Sequence, residues 1–488
     1  MSPRALAATT CTSAECPGAS DCPKGQDCFA VLARVAAEHA DILVVNHALY
    51  CMHVASEGNV LPEHDVVVFD EAHALADTAA TAFGAELSPI GLRALATRLG
   101  KLGADESACD AIRRQADAFA ERIVDLRGRI DAEALFGHTL ASLAQRLGDA
   151  SSSMKRGDDG ASVERAQALK LASARRDTVQ RFLEPNDDDV VWVEPGRAIK
   201  VASVDPGVVM RERLLDERTV VMVSATLGTG ARFEPLARRL GFDPDATTGP
   251  RAYRSLRLDS PFDHASQARL YVPVSLPAPN DPGWAAAADA EIGALVQASG
   301  GRALILCTSN AAVQRIAAHL RDACAHEVLS QGSASKRALI ERFVADETSV
   351  LVATRSFWVG IDAPGVSCVL VVIDRIPFSP PDDPMLSARR ERAGSGAFRT
   401  VDLPDAALIL AQGAGRLIRS RDDHGVVCVL DRRLARAEYR KVLLDALPPM
   451  KRTIDRDEAC AFLAHAVARS GGGSGGGAGA EQHPDGLG

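Results

Sequence analysis

The amino-acid sequence predicts an α/β protein built on parallel sheets, and three observations lead to this fold class. Residues 66–69 are four consecutive apolar residues, three of them β-branched, which is typical of a central parallel strand buried on both faces. A second apolar strand, residues 219–223, is followed at once by Ser224 and Thr226. From residue 303 onwards, apolar strands alternate with helical segments, and this alternation indicates a parallel sheet with right-handed crossovers.

Length and composition limit the classes of protein that the chain can belong to. A chain of 488 residues is too long for one hydrophobic core, so we expect several domains. The net charge of −9 gives no overall basic surface, so a nucleic-acid partner would have to meet a local patch. No apolar run is long enough to span a bilayer, and the first residues do not have the pattern of a signal peptide. We therefore expect a cytoplasmic protein with no membrane partner.

Four of the eleven cysteines lie close together near the N-terminus, at Cys11, Cys16, Cys22 and Cys28. Their spacing is wider than that of the Cys-x-x-Cys pairs in most zinc sites, but loops of this kind can hold an all-thiolate iron–sulfur cluster. The pattern favours a cluster, with zinc and unligated thiols as the alternatives. The other cysteines are scattered among apolar neighbours, and we interpret them as small core residues.

The segment after the cysteines predicts a helix and then a strand. Apolar residues recur with helical spacing over residues 29–39, and residues 42–45 are a short apolar run that predicts another buried strand. This strand would end at Asn46 and His47. The two residues are either a functional pair at the strand end or side chains that satisfy local backbone groups.

Residues 74–186 change to an Ala-, Leu- and Arg-rich composition, which predicts an all-helical insertion. Residues 151–160 are polar and contain glycine, so we expect a loop between two long helices there. Residues 190–194 and 199–202 flank Pro195 and Gly196 and predict a β-hairpin that closes the insertion. Two apolar stripes are expected to face its core: Ile112, Ala116, Phe119, Ile123 and Leu126, and Leu135, Leu140, Leu143 and Leu147.

Two carboxylates, Asp70 and Glu71, follow the strand at residues 66–69. Open α/β sheets carry their chemistry at the carboxyl ends of the strands. A nucleotide-hydrolysing site needs one carboxylate to bind Mg²⁺ and a second to orient or deprotonate the attacking water. The order of the residues gives Asp70 the first role and Glu71 the second. The alternative is a solvated acidic turn.

Gln412, Arg416 and Arg419 would share one face of a predicted helix over residues 412–419. Two guanidinium groups there could neutralise the charge that develops on a transferred phosphoryl group. The alternative is an exposed basic helix face. Two glycines inside a helix cost about 1 kcal/mol each relative to alanine, which indicates that another group approaches this backbone closely.

Taken together and in this order, these motifs resemble the DinG/XPD family of superfamily 2 iron–sulfur DNA helicases, and in particular its bacterial DinG branch. The resemblance extends from about residue 16 to residue 449. The matching segments are Cys16, Cys22 and Cys28 with residues 29–34, residues 45–49, motif II at residues 70–73, motif III at residues 223–227, residues 260–263, motif V at residues 357–365, Pro377 and Phe378, and motif VI at residues 412–419.

The resemblance implies two RecA-like parallel-sheet domains, with a cysteine-rich cluster domain and an all-helical arch domain inserted in the first. The first RecA-like domain would be N-terminally truncated. The implied bounds are a cluster region at 1–40, RecA-like domain 1 at 41–75 and 205–245, an arch with its closing hairpin at 76–204, RecA-like domain 2 at 246–468, and a disordered Gly-rich tail at 469–488.

The resemblance also implies an activity. The family uses ATP and Mg²⁺, carries a 4Fe-4S cluster, moves 5′ to 3′ on single-stranded DNA, and opens duplexes, forks and RNA–DNA hybrids, which suggests a role in DNA repair or replication. The implied roles are Mg²⁺ binding for Asp70, water activation for Glu71, γ-phosphate contact for Gln412, Arg416 and Arg419, coupling of hydrolysis to movement for Ser224 and Thr226, a link between nucleotide and DNA for Gly360 and Asp362, and cluster ligation for Cys16, Cys22 and Cys28.

The sequence departs from the family pattern in two features. The Walker A loop of the family, Gly-x4-Gly-Lys-Thr/Ser, lies upstream of the cluster and does not occur in these 488 residues. Its backbone N–H groups and lysine cradle the phosphates, so we expect the remaining residues to hold ATP poorly. One cluster ligand of the DinG branch also comes from further upstream. Cys11 is an extra thiol that either replaces this ligand or has no role.

The first departure leaves three hypotheses open. The chain is an incomplete product of a helicase gene, whose truncated first sheet exposes apolar edges; or it is a catalytically inactive nucleic-acid-binding or regulatory module; or a separate polypeptide supplies the Walker A half. The presence of Glu71, Arg416 and Arg419 counts against a long-standing loss of catalysis. A further basic group, Arg389, Arg390 and Arg392, is either an exposed helix face or a contact for DNA phosphates.

Overall fold

The structure is a computed structural model that describes residues 25–156, 163–227, 233–249, 251–357 and 367–471, with only the backbone described at 155–156, 163, 356 and 470–471. The chain forms two compact units. Of the described residues, the first unit comprises those from 25 to 227, 233–255 and 380–394, and the second unit comprises those in 256–379 and 395–471.

Short strands and long helices make up the first unit. Its strands are β1 (Val66–Phe69), β2 (Ala85–Leu87), β3 (Gly128–Arg129), β4 (Asp189–Glu194), β5 (Ala198–Ser203) and β6 (Thr219–Met222). Its α-helices are Phe29–Glu38, His47–Ala55, Leu75–Ala82, Pro89–Lys101, Glu106–Ile123, Ala132–Arg156, Val163–Leu183, Gly207–Met210, Glu234–Arg239 and Pro384–Ala393, and a π-helical turn spans Arg211–Leu215.

Strands β1 and β6 pair in parallel, in a register that places Val66 opposite Thr219 and Phe69 opposite Met222. The predicted strands are therefore present. The expected burial on both faces is wrong, because Val66 is 56% exposed and Val68 is 61% exposed. In the part of the chain that the structure describes, this sheet has only two strands. One face of β1 is therefore largely exposed, and whether the chain is truncated stays a hypothesis.

The strand predicted at residues 42–45 is wrong. Ile42 is 84% exposed and Val44 is 90% exposed, and the segment has no regular secondary structure. An apolar run forms a strand only when another strand pairs with it, and none of the described strands does. The next helix, His47–Ala55, begins here because the Asn46 side chain accepts a hydrogen bond from the backbone N–H of Leu49 at 2.8 Å. Asn46 thus satisfies a local backbone group.

The predicted helical insertion contains four long helices that share one core, and the two expected apolar stripes line it. Ile112, Phe119, Leu140 and Leu147 are fully buried there. The insertion is not all helical, however, because β2, β5, β4 and β3 form an antiparallel sheet in that order. The predicted hairpin is its centre, formed by β4 and β5. The loop predicted at residues 151–160 is wrong in its first part, because the helix runs on to Arg156; the rest of it lies outside the described residues.

The Pro384–Ala393 helix belongs to the first unit, although the chain on either side of it belongs to the second. Arg389 binds Asp77 at 2.9 Å and Arg392 binds Asp188 at 2.6 Å. Asp77 also pairs with Arg239 at 2.7 Å. Burial alone would raise the pKa of Asp77, but the two guanidinium groups lower it below its ordinary value. These contacts make the basic helix face a set of internal ion pairs.

The second unit is built on one parallel sheet, as predicted. Its strand order is β13-β7-β12-β11-β8-β10-β9. The strands are β7 (Ala268–Tyr271), β8 (Ala303–Cys307), β9 (Val328–Ser330), β10 (Val350–Thr354), β11 (Leu370–Ile373), β12 (Gly425–Val429) and β13 (Lys451–Thr453). The α-helices are His264–Gln267, Trp284–Ala298, Asn310–Ala323, Lys336–Ala345, Leu403–Ala414, Arg433–Arg436, Arg440–Ala446 and Arg456–Gly471, and a π-helical turn spans Phe398–Asp402.

Alternate residues of the central strands face two different hydrophobic layers. In β8, Leu304 and Leu306 pack into one layer, while Ala303, Ile305 and Cys307 pack into the other. Both faces of this sheet are therefore covered by helices, which explains why its strands are continuous apolar runs. No helix in the described ranges is long and apolar enough to cross a membrane.

Candidate active site

The turn after β1 carries both predicted carboxylates at the surface. The backbone N–H of Glu71 donates a hydrogen bond to Oδ1 of Asp70 at 2.9 Å, and both side chains are exposed. Glu71 has a φ of +50°, in the left-handed region that residues with a Cβ seldom adopt. Such a backbone costs about 1–3 kcal/mol, and surrounding contacts must hold it in place.

Contacts from β6 hold this turn. Because β1 and β6 are parallel, their carboxyl ends coincide, and the backbone N–H of Val223 donates to the carbonyl of Phe69 at 2.8 Å. The backbone N–H of Ala72 then donates to the carbonyl of Val223 at 3.0 Å. These two hydrogen bonds join the carboxyl ends of β1 and β6 and bring Ser224 next to Glu71.

Four side chains from the two strand ends form one hydrogen-bonded network, which we call the strand-end network: Glu71, His73, Ser224 and Thr226. Nδ1 of His73 lies 2.9 Å from the Ser224 hydroxyl and 3.2 Å from Oε2 of Glu71. The Ser224 hydroxyl donates to the same Glu71 oxygen at 3.3 Å and accepts the backbone N–H of Thr226 at 3.1 Å. The Thr226 hydroxyl lies 3.5 Å from the Ser224 hydroxyl. The network therefore fixes one carboxylate oxygen of Glu71 from two sides.

Two histidines at this site have contacts that the sequence patterns did not reveal. His73 was part of the predicted motif but had no assigned role; its side chain is only 8% exposed. Nε2 of His47 donates a hydrogen bond to the backbone carbonyl of Asp70 at 2.7 Å, and the His47 ring packs edge-on against Phe69 at 5.8 Å. His47 thus supports the turn through the backbone of Asp70. The Asp70 carboxylate itself is left at the surface, where an oxygen ligand for Mg²⁺ is needed.

The three predicted phosphate-contacting residues lie in the second unit, but they do not share one helix. The helix ends at Ala414, so it includes Gln412 and leaves Arg416 and Arg419 in the following turn. Asp423 holds that turn, because one of its carboxylate oxygens accepts the backbone N–H groups of Arg419 and Ser420, both at 2.7 Å. The single helix face is therefore wrong, although all three residues stay in one short segment.

Arg416 and Arg419 are both half-buried. Burial and neighbouring charges shift the pKa values of Arg419 and of the nearby Lys336. Burial lowers the pKa of the Arg419 guanidinium below its ordinary value, although Asp423 opposes this shift. Burial also lowers the pKa of Lys336, and the positive charge of Arg416 lowers it further. The Lys336 ammonium group lies 5.3 Å from the centre of the Phe357 ring. No sequence pattern had connected Lys336 with this segment.

A buried carboxylate lies at the carboxyl ends of β8 and β11. Asp374 accepts the backbone N–H of Thr308 at 2.9 Å and its hydroxyl at 3.1 Å. Burial raises the pKa of Asp374 to about 6, although the hydrogen bonds from Thr308 oppose the shift. Asp374 thereby fixes the start of the loop that leads into the Asn310–Ala323 helix.

Several predicted site residues lie outside the described residues: Cys11, Cys16, Cys22, Gly360 and Asp362. Cys28 is half-buried and immediately precedes the Phe29–Glu38 helix. In the part of the chain that the structure describes, no group of three or more His, Cys, Asp or Glu side chains could hold a metal ion. The iron–sulfur cluster therefore stays a prediction. Five of the seven other cysteines are buried, as expected of core residues: Cys51, Cys109, Cys307, Cys368 and Cys428. Cys324 and Cys460 are only half-buried, at the margin of a core.

Comparison with known proteins gives matches over almost the whole chain. A family model described as a helicase C-terminal domain matches residues 292–450. The ATP-dependent helicase DinG of Mycobacterium tuberculosis is 38% identical over 94% of this chain and 71% of its own length. The ATP-dependent DNA helicase YoaA of Escherichia coli is 35% identical over 93% of this chain and 74% of its own length.

Solved structures show the same architecture at lower sequence identity. One titled XPD_Helicase has a TM-score of 0.53 and 16% identity over 83% of this chain and 72% of its own length. Another, titled as S. tokodaii Xpd4, has a TM-score of 0.52 and 16% identity over 80% of this chain and 75% of its own length. At this identity the likeness shows the fold alone, and it agrees with RecA-like α/β domains.

Proposed function

The chain belongs to the DinG/XPD family of superfamily 2 helicases, and from this membership we propose that it is an ATP-dependent DNA helicase. Relatives named as ATP-dependent helicases and a match to a helicase C-terminal domain support this activity. In this proposal the protein hydrolyses ATP with Mg²⁺ as the metal ion, and DNA is the substrate.

We assign the hydrolytic chemistry to the turn after β1. Asp70 holds Mg²⁺ through its exposed carboxylate, and Glu71 orients and deprotonates the attacking water. The observation that supports this assignment most strongly is the strand-end network, in which His73 and Ser224 hold the same oxygen of Glu71 at 3.2 Å and 3.3 Å. A carboxylate fixed in this way has its other oxygen available for water.

Ser224 and Thr226 connect this chemistry to the rest of the protein. Both hydroxyls contact the network around Glu71, so a change in the charge or position of Glu71 changes the contacts of the segment that follows β6. Gln412, Arg416 and Arg419 contact the γ-phosphate in this proposal, and the family resemblance supports this assignment. Gly360 and Asp362 link nucleotide and DNA in the same proposal.

The finer features of the activity follow from the family resemblance. The helicase moves 5′ to 3′ on single-stranded DNA, opens forked and hybrid duplexes, and works in DNA repair or replication. Cys16, Cys22 and Cys28 hold a 4Fe-4S cluster, and Cys11 is the candidate for its fourth ligand. The proposed location of this helicase is the cytoplasm.

The phosphate-binding loop comes, in this proposal, from polypeptide outside these 488 residues, which contain no Walker A sequence. The two-stranded sheet and the exposed Val66 and Val68 support this, because additional strands would pair with its free edges and a packed helix would cover its exposed face. The competing function is a nucleic-acid-binding or regulatory module without catalysis. It predicts salt-dependent DNA binding without nucleotide and no hydrolysis by the complete gene product.

A strand-displacement assay tests the proposed function. The complete product of the gene is mixed with duplexes that carry either a 5′ or a 3′ single-stranded tail, with and without ATP. We expect unwinding of the 5′-tailed duplex only when ATP is present. Unwinding without ATP, or a preference for the 3′ tail, would contradict the proposal. DNA-stimulated hydrolysis by the purified 488-residue chain alone would contradict the external origin of the loop.

A further inference from the structure

The second unit contains a groove that is separate from Thr308 and Asp374, which lie at the carboxyl ends of β8 and β11. It opens beside the amino-terminal ends of β7 and β12, so it lies at the end of this parallel sheet opposite to Thr308 and Asp374. Its volume is about 470 Å³. We call it the basal groove. Its lining residues come from the segment before β7, the loop before β12 and the last helix: Pro261, Asp263, Ser266, Gln267, Arg421, His424, Phe462, His465 and Arg469.

Positive and titratable side chains dominate this lining. Two arginines, Arg421 and Arg469, line the groove together with His424 and His465, against one carboxylate, Asp263. Asp263 already caps a helix by accepting the backbone N–H of Ser266 at 3.3 Å. Within the described ranges, the guanidinium groups of Arg421 and Arg469 form no hydrogen bond or ion pair. Their donors are therefore available to an anionic ligand.

Buried polar groups fix the loop that carries Arg421 and His424. The carboxamide nitrogen of Gln267 donates to the backbone carbonyls of Ser420, Arg421 and Asp423, at 3.0, 3.2 and 2.9 Å. The buried Asp423 carboxylate accepts the Ser420 hydroxyl at 2.9 Å, in addition to its two backbone N–H groups. A loop fixed in advance loses little conformational entropy when a ligand binds.

The groove also has an aromatic wall. Phe462 lines it, and the guanidinium group of Arg269 lies 4.2 Å from the centre of the same ring. This cation–π contact holds the ring in position. An aromatic wall beside two arginines is the arrangement that binds a nucleotide, because the base or sugar packs on the ring while the arginines bind the phosphate.

We propose that the basal groove is a second nucleotide-binding site, in which Arg421 and Arg469 bind the phosphate and Phe462 packs against the base or sugar. The site is separate from the hydrolytic site and goes beyond the proposed helicase activity. Two sources share this chemistry: one nucleotide of a nucleic-acid strand, or a free nucleoside monophosphate.

The test measures binding of thymidine 5′-monophosphate to the purified chain by isothermal titration calorimetry at low salt, without ATP. The double variant Arg421→Gln/Arg469→Gln removes both charges, and the matched control is Arg399→Gln, an exposed arginine of the same unit outside the groove. We expect saturable binding by the wild type and the control, and at least tenfold weaker binding by the double variant, because it loses two charge-assisted contacts. Thymidine, which lacks the phosphate, should bind at least tenfold more weakly than the monophosphate.

Equal binding by the wild type and the double variant would overturn the proposal, and so would the absence of binding to the wild type. Circular dichroism checks that the double variant is folded; the single variants Arg421→Gln and Arg469→Gln give a second readout, with a smaller loss expected for each. These binding measurements do not depend on ATP hydrolysis, so their failure and the failure of the helicase proposal are distinguishable.

A second titration identifies the source of the nucleotide. A strand of ten thymidylates is titrated at several salt concentrations. If the groove binds a nucleic-acid strand, the double variant binds this strand more weakly, and the slope of log affinity against log salt becomes less negative by about 0.7, because one phosphate contact to a single strand is lost. If the groove takes only a free monophosphate, strand binding is the same in the variant and the wild type while monophosphate binding is lost.

Discussion

Replacing Ser224 with alanine is the sharpest test of the strand-end network. The change removes a hydroxyl that donates to Oε2 of Glu71 at 3.3 Å and lies 2.9 Å from Nδ1 of His73. A hydrogen bond to a charged group contributes about 1.5–3 kcal/mol. Because the Glu71 side chain is exposed, we take the lower part of this range, about 1.5–2 kcal/mol. If the hydroxyl positions the carboxylate in the transition state, kcat falls about tenfold to thirtyfold.

The assay is DNA-stimulated ATP hydrolysis by the complete gene product. We expect the KM for ATP to stay within about twofold, since Ser224 makes no contact that binding alone requires. Ser224→Thr keeps a hydroxyl and should recover most of the rate. Ser107→Ala, at an exposed position of the helical insertion, is the control. A Ser224→Ala variant with wild-type kcat would refute the positioning role, and a loss that threonine does not recover would point to a steric cause.

Three further changes test the fold and its titrating groups. Asp77→Asn removes the charge that two arginines bind, so we expect a loss of about 1 kcal/mol in the free energy of unfolding at pH 7, measured by urea denaturation. Because the pKa of Asp77 is lowered in the folded state, this loss should disappear as the pH falls through that pKa. Burial raises the pKa of Asp374 to about 6, so the wild type should lose stability as the pH rises from 4 to 7. Asp374→Asn, which can still accept from Thr308, should not lose stability in this way, and its free energy of unfolding should gain about 2 kcal/mol relative to the wild type over this range. Phe119→Ala opens a cavity beside Phe136 in the core of the helical insertion and should destabilise that insertion by about 3–5 kcal/mol, measured by hydrogen exchange.

The sequence predicted the second unit well, for a physical reason. Its strands are apolar on both faces and are bounded by polar or glycine-containing segments, so local composition is sufficient to locate them. Ala303–Cys307 is an example, followed by Ser309, whose hydroxyl accepts the backbone N–H of Ala312 at 3.1 Å and starts the next helix. Residues 42–45 have the same local composition but no pairing strand among the described ones. Pairing depends on distant residues, and a local pattern cannot report it.

The site was predicted in its residue types and less completely in its geometry. Glu71 and Ser224 are separated by 153 positions, and their contact follows from the parallel pairing of β1 with β6. The role of His73 depends on the left-handed turn at Glu71, which no spacing rule indicates. The prediction for Arg416 continued the helical periodicity beyond Gly413 and Gly415. The helix instead ends at Ala414, so Arg416 lies in a turn.

The most direct test of the central claim is the rate of ATP hydrolysis by the Glu71→Gln variant of the complete gene product, with DNA present. Glutamine keeps the shape of the side chain and removes the base, so we expect ATP and DNA binding within about twofold of the wild type and a loss in kcat of about 100-fold to 10,000-fold. Glu63→Gln makes the same charge change at an exposed position of the same unit and should keep the wild-type rate. Turnover by Glu71→Gln comparable to the wild type would contradict the assignment of Glu71 as the residue that activates water.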